Sequence, residues 1–334
     1  MESVFIRGGD MISYDLKSLG TNKISFYLAL EQVLLSNLED DVFFLWDIST
    51  SIVAGRHQLI PAEINQNYVN SHHIPVFRRP SGGGTIYADR GCFMYSFLTK
   101  ERNREVIYQK YLTKFMNCLR EIGLDVVLSG RNDLLFQGKK FSGTAIYQTN
   151  EGSILHGTFL YNTNLHHLVK VLTVDKTKMT SKGIRSVKER VINLKPYVGM
   201  SKNDLMDNLL HRMADEVNYP VENWLEKITF YEDKFTSKEW IDGQNPKYSV
   251  QFKKRFSFGS IEAYVLLKGN QIQKLDFRGD FFVRQPLDFF YSQFHNQPFT
   301  LQGLMAVLLD HSVSDYIFDA TNDDLISLFF QEEL

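Results

Sequence analysis

The residues best suited to chemistry in this chain lie in Arg78-Arg79-Pro80-Ser81-Gly82-Gly83-Gly84-Thr85-Ile86-Tyr87. Three consecutive glycines strip the side chains from the backbone, so its N–H groups can approach a bulky anion and φ > 0 is open to it. Two adjacent arginines add fork-shaped donors that match phosphate oxygens. The same residues also suit a tight hairpin with solvated arginines. A second block, residues 129–145 from Ser129 to Ala145, reads as strand, Gly138-Lys139 turn, strand. Regular alternation along its second arm puts Lys140, Ser142 and Thr144 on one face, Phe141 on the other and Lys139 in solvent. A lysine on a small, polar face is placed to meet a bound carboxylate or phosphate as a compact cation. In a third block, Leu155-His156-Gly157-Thr158-Phe159-Leu160, Gly157 interrupts a strand where a ligand or another backbone comes close. His156 there is either a hydrogen-bonded core histidine or part of a site.

The elements that must hold these blocks follow from periodicity. Phe26, Leu30, Val33 and Leu34 predict a helix over 24–37 with Asn22 as its cap. Val42 to Trp46 and Ser51 to Ala54 read as strands, the second ending in a turn at Gly55 where Arg56 faces either solvent or a site. A helix from Pro61 to about His72 and a strand from Ile74 to Phe77 lead into the glycines. Cys92 to Leu98 is a buried strand, and residues 103–122 form a helix stopped by Gly123. Later, Ser201 caps a helix over 201–217, and 221–244, polar and aromatic-studded, reads as a linker or boundary ending in Asp242-Gly243-Gln244-Asn245-Pro246. Strands over 249–256, 260–268 and 270–278 follow, then helices near 286–295 and 300–309 and a last one opened by Thr321 and Asp324.

Across 334 residues the composition is 43% hydrophobic and 13% aromatic, with 37 basic and 39 acidic side chains and a net charge of -2. That balance gives no global attraction to nucleic acid or to a membrane surface. Cys92 and Cys118 are too few for a disulfide scaffold and match no zinc spacing, so both read as packing residues. The first ten residues lack a basic segment followed by an apolar run, and nothing approaches membrane-span length. The expectation is a soluble, cytoplasmic monomer of two domains, 1–242 and 243–334.

Five blocks occur together and in order: Arg78-Arg79-x-Ser81-Gly82-Gly83-Gly84, Gly130-Arg131-Asn132-Asp133-Leu134, Lys140-x-Ser142-Gly143-x-Ala145, His156-Gly157-Thr158, and a stretch from Ser181-Lys182-Gly183-Ile184 to Arg190-Val191-x-Asn193-Leu194. In this order they resemble the lipoate–protein ligase A family. Pro246-Lys247-Tyr248 to Lys254-Arg255-Phe256, with Gly279-Asp280-Phe281-Phe282, is similar to that family's C-terminal accessory domain. The chain departs from the pattern after the glycines, with Ala88 and Cys92 where the family often has histidine and asparagine. That departure bears on acyl or acceptor preference and leaves the glycine segment and Lys140 in place.

The resemblance implies an α/β (α+β) fold, a mixed-sheet catalytic domain of the biotin/lipoate ligase type plus a small α+β C-terminal domain. It implies ATP and Mg²⁺ as co-reactants and lipoate as substrate. The acceptor would be a lysine on a carrier domain, either a dehydrogenase-complex E2 lipoyl domain or a glycine-cleavage H protein. Matched by position, Lys140 is the essential lysine. Arg79, Ser81, Gly82, Gly83, Gly84, Thr85, Ile86, Tyr87, Asn132 and Thr158 contact the nucleotide with it, and Asp133 takes the metal. Phe93, Tyr95, Phe97 and the Val33 helix face are either the lining of an apolar acyl tunnel or ordinary core. Lys253-Lys254-Arg255 is either a solvated strand face or a contact for an acidic carrier or for phosphate, with 242–246 as a hinge. Two other functions stay open, an ATP-independent lipoyl or octanoyl transferase and a nonenzymatic acyl-carrier binder. Where one transferase group carries its cysteine nucleophile this chain has Asn132, which disfavours the first. Intact Lys140 and Arg79 disfavour the second.

Overall fold

The computed structural model describes residues 11–130, 132–172, 190–220, 224–242 and 248–330. Arg131, residues 181–189 of the fifth block and residues 243–246 of the expected hinge lie outside the described residues. In chain order the first elements are β1 (Met11–Tyr14), α1 (Ile24–Ser36), β2 (Asp41–Trp46) and β3 (Ser51–Ala54). Next come α2 (Gln66–Ser71), β4 (Val76–Arg78), β5 (Ile86–Ala88), β6 (Cys92–Thr99) and α3 (Thr113–Glu121). Then β7 (Val126–Ser129), β8 (Asp133–Phe136), β9 (Lys139–Gln148), β10 (Ser153–Leu160) and α4 (Leu165–Leu172) follow. The remainder is α5 (Lys202–Met213), β11 (Glu216–Asn218), α6 (Trp224–Thr236), β12 (Val250–Phe256), β13 (Gly259–Lys268), β14 (Gln271–Gly279), α7 (Asp288–Gln293), α8 (Leu301–Asp310) and α9 (Asn322–Phe329).

The chain divides into two compact units, one of Met1–Val53, Ile64–Phe77 and Ile86–Ser237, the other of Ala54–Glu63, Arg78–Thr85 and Lys238–Leu334. The first is built on an eight-stranded sheet in the order β11-β1-β2-β6-β10-β9-β8-β7. It is mixed, because β1 runs parallel to both β2 and β11 while the other pairs are antiparallel. β6 is buried along its whole length, so its alternating side chains must satisfy a core on each face. Phe93, Tyr95 and Phe97 enter one core with Phe115 and Leu119 of α3 and Leu209 of α5. Ser96 points the other way and meets α1.

α1 is buried on nearly all sides because α6 covers it, with Ser25 Oγ donating to Glu232 across that contact at 2.6 Å. Residues 224–236, expected within a linker or boundary, are therefore a packed helix. Trp224, Ile228, Tyr231 and Phe235 recur at i, i+4, i+7 and i+11, and that stripe folds as a helix. Other expectations change in detail. The N-cap of α1 is Lys23, while the Asn22 amide bonds Leu19 and Gly20 carbonyls instead. The helix expected from Pro61 to His72 breaks at Asn65, which caps α2 through Tyr68 N–H. Residues 103–122 are helical but contain a π turn at Tyr108–Leu112. The helix expected over 201–217 stops at Met213, since 216–218 is needed as a strand beside β1.

The second unit carries the antiparallel sheet β12-β13-β14, with α7, α8 and α9 supplying the other half of its core. Val265, Phe277, Phe290, Leu304 and Leu328 meet there. Thr321 and Asp324 form the expected capping box at α9. This is an α/β molecule with a large mixed sheet and a small antiparallel C-terminal domain, as the sequence led one to expect.

Candidate active site

Lys140 is placed by an irregularity that alternation along β9 does not show. Asp133 pairs with Gly143 and Leu134 with Ser142, but Leu135 pairs with Lys140, so Phe141 is an extra residue in the ladder. The bulge reverses the parity of the strand. Lys140 lies on the face of Asp133 and Gly143, whereas Ser142 is buried and its Oγ is 2.8 Å from the Tyr95 hydroxyl. The expected shared face of Lys140, Ser142 and Thr144 is corrected accordingly. The turn also sits one residue earlier than expected, on Gln137 and Gly138, both with φ > 0 as a type I′ hairpin requires.

The Lys140 ammonium is 2.7 Å from Asp133 Oδ1, in a pair left 40% and 35% exposed. Its Nζ would lie 2.8 Å from a Cβ at position 143, so the bare Cα of Gly143 makes the room it occupies. An ion pair this open is held weakly, in the range of about 0–1 kcal/mol, and can exchange its carboxylate for a substrate anion. Around it, Asn132 and Thr144 bond each other three times, through Asn132 Nδ2 to Thr144 O at 2.8 Å, Thr144 N–H to Asn132 O at 2.8 Å and Thr144 Oγ1 to Asn132 O at 3.1 Å. Thr158 Oγ1 accepts the Gly143 N–H at 3.2 Å. Ile192 N–H donates to Lys140 O at 2.9 Å, which brings part of the fifth block alongside. The structure thus gathers Asn132, Asp133, Lys140 and Thr158, read from three separate blocks, on adjoining strands.

Behind this hairpin the sheet buries a polar network around Glu31 that sequence reading missed. Glu31 of α1 is fully buried and accepts the Ser96 hydroxyl at 2.6 Å, with His156 Nδ1 3.0 Å away. Trp46 Nε1 donates to Ser96 Oγ at 2.9 Å, and its ring stands edge-on to His156. The clue was the composition of α1, mostly apolar around its circumference with Glu31 as its single charged residue, which implies a covered helix and a carboxylate that needs partners. His156 is accordingly a hydrogen-bonded buried histidine. Gly157 exists because Tyr95 crosses it: a Cβ there would sit 2.8 Å from Tyr95 Cε2 and closer to its hydroxyl end. Of the two readings of Phe93, Tyr95 and Phe97, the structure shows the core one. Phe93, Tyr95 and Phe97 pack into the aromatic core on the α3 side, away from the α1 side of β6.

In the second unit, residues 79–85 are not a hairpin. The small sheet has the order β4-β3-β5, so β4 and β5 do not pair with each other, and a Cβ on Gly55 would strike the Gly83 carbonyl. Arg78 is 2% exposed and donates to the carbonyls of Gly55, Arg56, Gln58 and Ile241 at 2.7–3.0 Å, which makes it a clamp on the 55–58 turn. Arg79 donates to Ser81 Oγ at 3.0 Å and to the carbonyls of Gly82 and Gly84 at 2.7 and 2.8 Å. Burial, and then the charge of Arg78, brings the Arg79 pKa down to about 10, so it stays protonated at neutral pH. Thr85 Oγ1 bonds Gln58 Oε1 at 2.6 Å. Gly83, at φ 87°, directs its N–H to Phe281 O at 3.4 Å and lies under the Phe282 ring. Ile86 and Tyr87 belong to β5 in the first unit.

Cys92 is buried and its thiol is pushed up to about 12 by burial, and Cys118 is raised by the same cause. Neither suits a nucleophile. No group of three or more histidine, cysteine or carboxylate side chains that could hold a metal occurs among the described residues. No helix among them is long and apolar enough to cross a membrane.

Comparison with known proteins agrees with this arrangement. Residues 23–214 match the lipoyl protein ligase A/B catalytic domain, and 245–329 match the bacterial lipoate protein ligase C-terminus. The chain is 27% identical over 333 residues to the lipoate-protein ligase LplJ of Bacillus subtilis (strain 168), covering 96% of this chain and all of the relative. P. falciparum LipL1, solved in complex with lipoate, superposes with a TM-score of 0.78 at 22% identity over 96% of this chain and 99% of that one. A lipoate-protein ligase A bound with ATP gives 0.59 at 20% identity over 71% and 99%. With a catalytic-domain match over more than half its length and the accessory domain behind it, the chain belongs to the lipoyl protein ligase A/B family.

Proposed function

We propose that this protein activates lipoate with ATP and transfers the lipoyl group to a lysine of a carrier domain. The observation that carries the reading is the Lys140 ammonium, held over Gly143 by the β9 bulge and paired, among the described residues, with a half-exposed carboxylate. In the first step a lipoate carboxylate oxygen attacks the α-phosphorus of ATP. The bond to the β-phosphate breaks, and pyrophosphate leaves. Two anions repel each other on approach, and a fixed cation between them lowers that cost most where negative charge is greatest. Lys140 is that cation. Arg79, Ser81 and the backbone of Gly82, Gly83 and Gly84, with Thr85, Ile86, Tyr87, Asn132 and Thr158, supply the nucleotide contacts.

In the second step a neutral carrier lysine attacks the acyl carbon of lipoyl-AMP. AMP leaves with the bonding pair and the amine loses a proton, so Lys140 again faces growing negative charge. Asp133 is a single, accessible carboxylate, which fits a magnesium ion brought in by nucleotide phosphates and not one caged by protein. Bound there, the ion would neutralise phosphate charge. The carrier is an E2 lipoyl domain or a glycine-cleavage H protein. The division of labour is a catalytic domain over 1–242 and an accessory domain over 243–334.

The test is lipoate-dependent ATP–pyrophosphate exchange. Lys140→Ala should lower it at least 100-fold while far-UV and thermal melts stay unchanged, since the side chain is 40% exposed. Undiminished exchange in that variant removes the mechanism. Lipoylation of a carrier without ATP would show the transferase instead.

A further inference from the structure

The second unit carries an uncovered apolar face on α7 and α8. Leu309 is 85% exposed, Phe289 59% and Met305 52%. Met305 and Leu309 stand one turn apart on α8, away from Leu304 and Leu308, which are in the core. Phe289 reaches the same surface from α7, its ring edge-on to His311 at 5.6 Å, just beyond Leu309 and Asp310. Three large apolar side chains gathered at one place differ from the single exposed ones that every protein surface shows.

The segment that carries this face is acidic, with Arg284 at its start. Residues 285–330 contain six aspartates, at 288, 310, 315, 319, 323 and 324, and no lysine or arginine. Asp288 adjoins Phe289 and Asp310 adjoins Leu309, and together with Asp315 they are exposed and make no ion pair among the described residues. Charges of one sign within about 8 Å of an apolar patch act on whatever docks there at physiological salt. They repel an anionic lipid surface and an acidic carrier domain alike. A second copy would offer the basic run of β12, whose exposed Lys253 and Arg255 lie beside Glu262 and Asp280, so self-association is one outcome of the test below.

We propose that the α7–α8 face docks a basic, amphipathic segment of a partner protein. Its apolar anchors cover Met305, Leu309 and Phe289, and its lysines or arginines pair with Asp288, Asp310 and Asp315. The apolar contact supplies affinity, and the ring of carboxylates selects the sign of the partner and speeds encounter.

The probe is an amphipathic helical peptide of about 18 residues made of leucine and lysine, titrated into full-length protein with labelled methionine and leucine methyls. The Met305 and Leu309 methyl signals should shift on saturation. The double variant Phe289→Ser, Leu309→Ser should bind at least tenfold more weakly, and Asp288→Asn, Asp310→Asn, Asp315→Asn should weaken binding similarly and flatten its salt dependence. All these positions are exposed, so the fold persists and ATP–pyrophosphate exchange should be unchanged. Shifts confined to other methyls, equal affinity in the variants, or equal binding of a leucine–glutamate peptide would overturn the proposal. So would binding to phosphatidylserine vesicles through Leu309, or a dimer in sedimentation that the double serine variant dissolves.

Discussion

Lys140 and Gly143 form one unit at the level of single residues, since the ammonium occupies the volume that any other residue at 143 would fill. Gly143→Ala is expected to displace the ammonium from Asp133 and lower ATP–pyrophosphate exchange at least tenfold. The displaced atoms are the far end of a flexible side chain, so stability should change by less than about 1 kcal/mol in urea unfolding. Full activity in the alanine variant would mean that the observed position of Lys140 is not needed. His57 makes a separate case. Its Nε2 is buried without a partner among the described residues, and its ring stacks on Phe281 at 5.0 Å. Burial, then Arg56, Arg278 and Arg78, pulls its pKa down to about 3 from an unfolded value of 6.5. Between those values the unfolded chain binds the extra proton, so stability falls as pH drops from 6.5 toward 3 and is flat above. His57→Phe should reduce that acid sensitivity, read as the pH dependence of the urea midpoint. An unchanged slope would show that His57 does not titrate on unfolding.

Among elements, β6 and β10 show how one strand pair can serve two cores. Odd positions of β6 feed the aromatic core beneath α3, and Ser96 on the other face meets Glu31 and Trp46 under α1. Tyr95 lies across Gly157 of β10 to reach Ser142, so three strands are locked by one side chain. Gly157→Ala should cost about 1–3 kcal/mol through overpacking. Combining it with Tyr95→Leu should recover part of that loss, a coupling on the order of 0.5–3 kcal/mol in a double-mutant cycle. Strictly additive losses would place the strain elsewhere. Sequence reading found both strands but could not see this crossing, because the partner of a glycine is set by register and not by its own neighbours.

For the whole molecule, residues 54–63 and 78–85 fold with the C-terminal part of the chain. Gly279 N–H donates to His57 O at 3.0 Å, Trp240 Nε1 donates to Arg78 O at 2.8 Å, and the Arg56 guanidinium lies 4.2 Å from the Trp240 ring centre. A chain ending at Asp242 loses the Gly279 and Phe281 partners. Limited proteolysis of that truncated chain should cut first within 54–63 or 78–85, where the full chain resists. Equal protection in both forms would show that these segments are stable without the C-terminal unit.

The sequence by itself determined the family and most of the element types, and it nominated Lys140 for the proposed site, because motif spacing, hairpin turns and amphipathic periods are local properties of residue type and order. It also led directly to Lys140, Asp133 and Asn132 as neighbours on one hairpin. Tertiary structure alone decided which way Lys140 faces, since the Phe141 bulge arises from pairing with β8. It likewise decided that Arg78 clamps a turn, that 224–236 is a helix covering α1, and that Glu31 has partners. Each of those depends on a contact with residues far away in the chain, and no window of local sequence contains both sides of it.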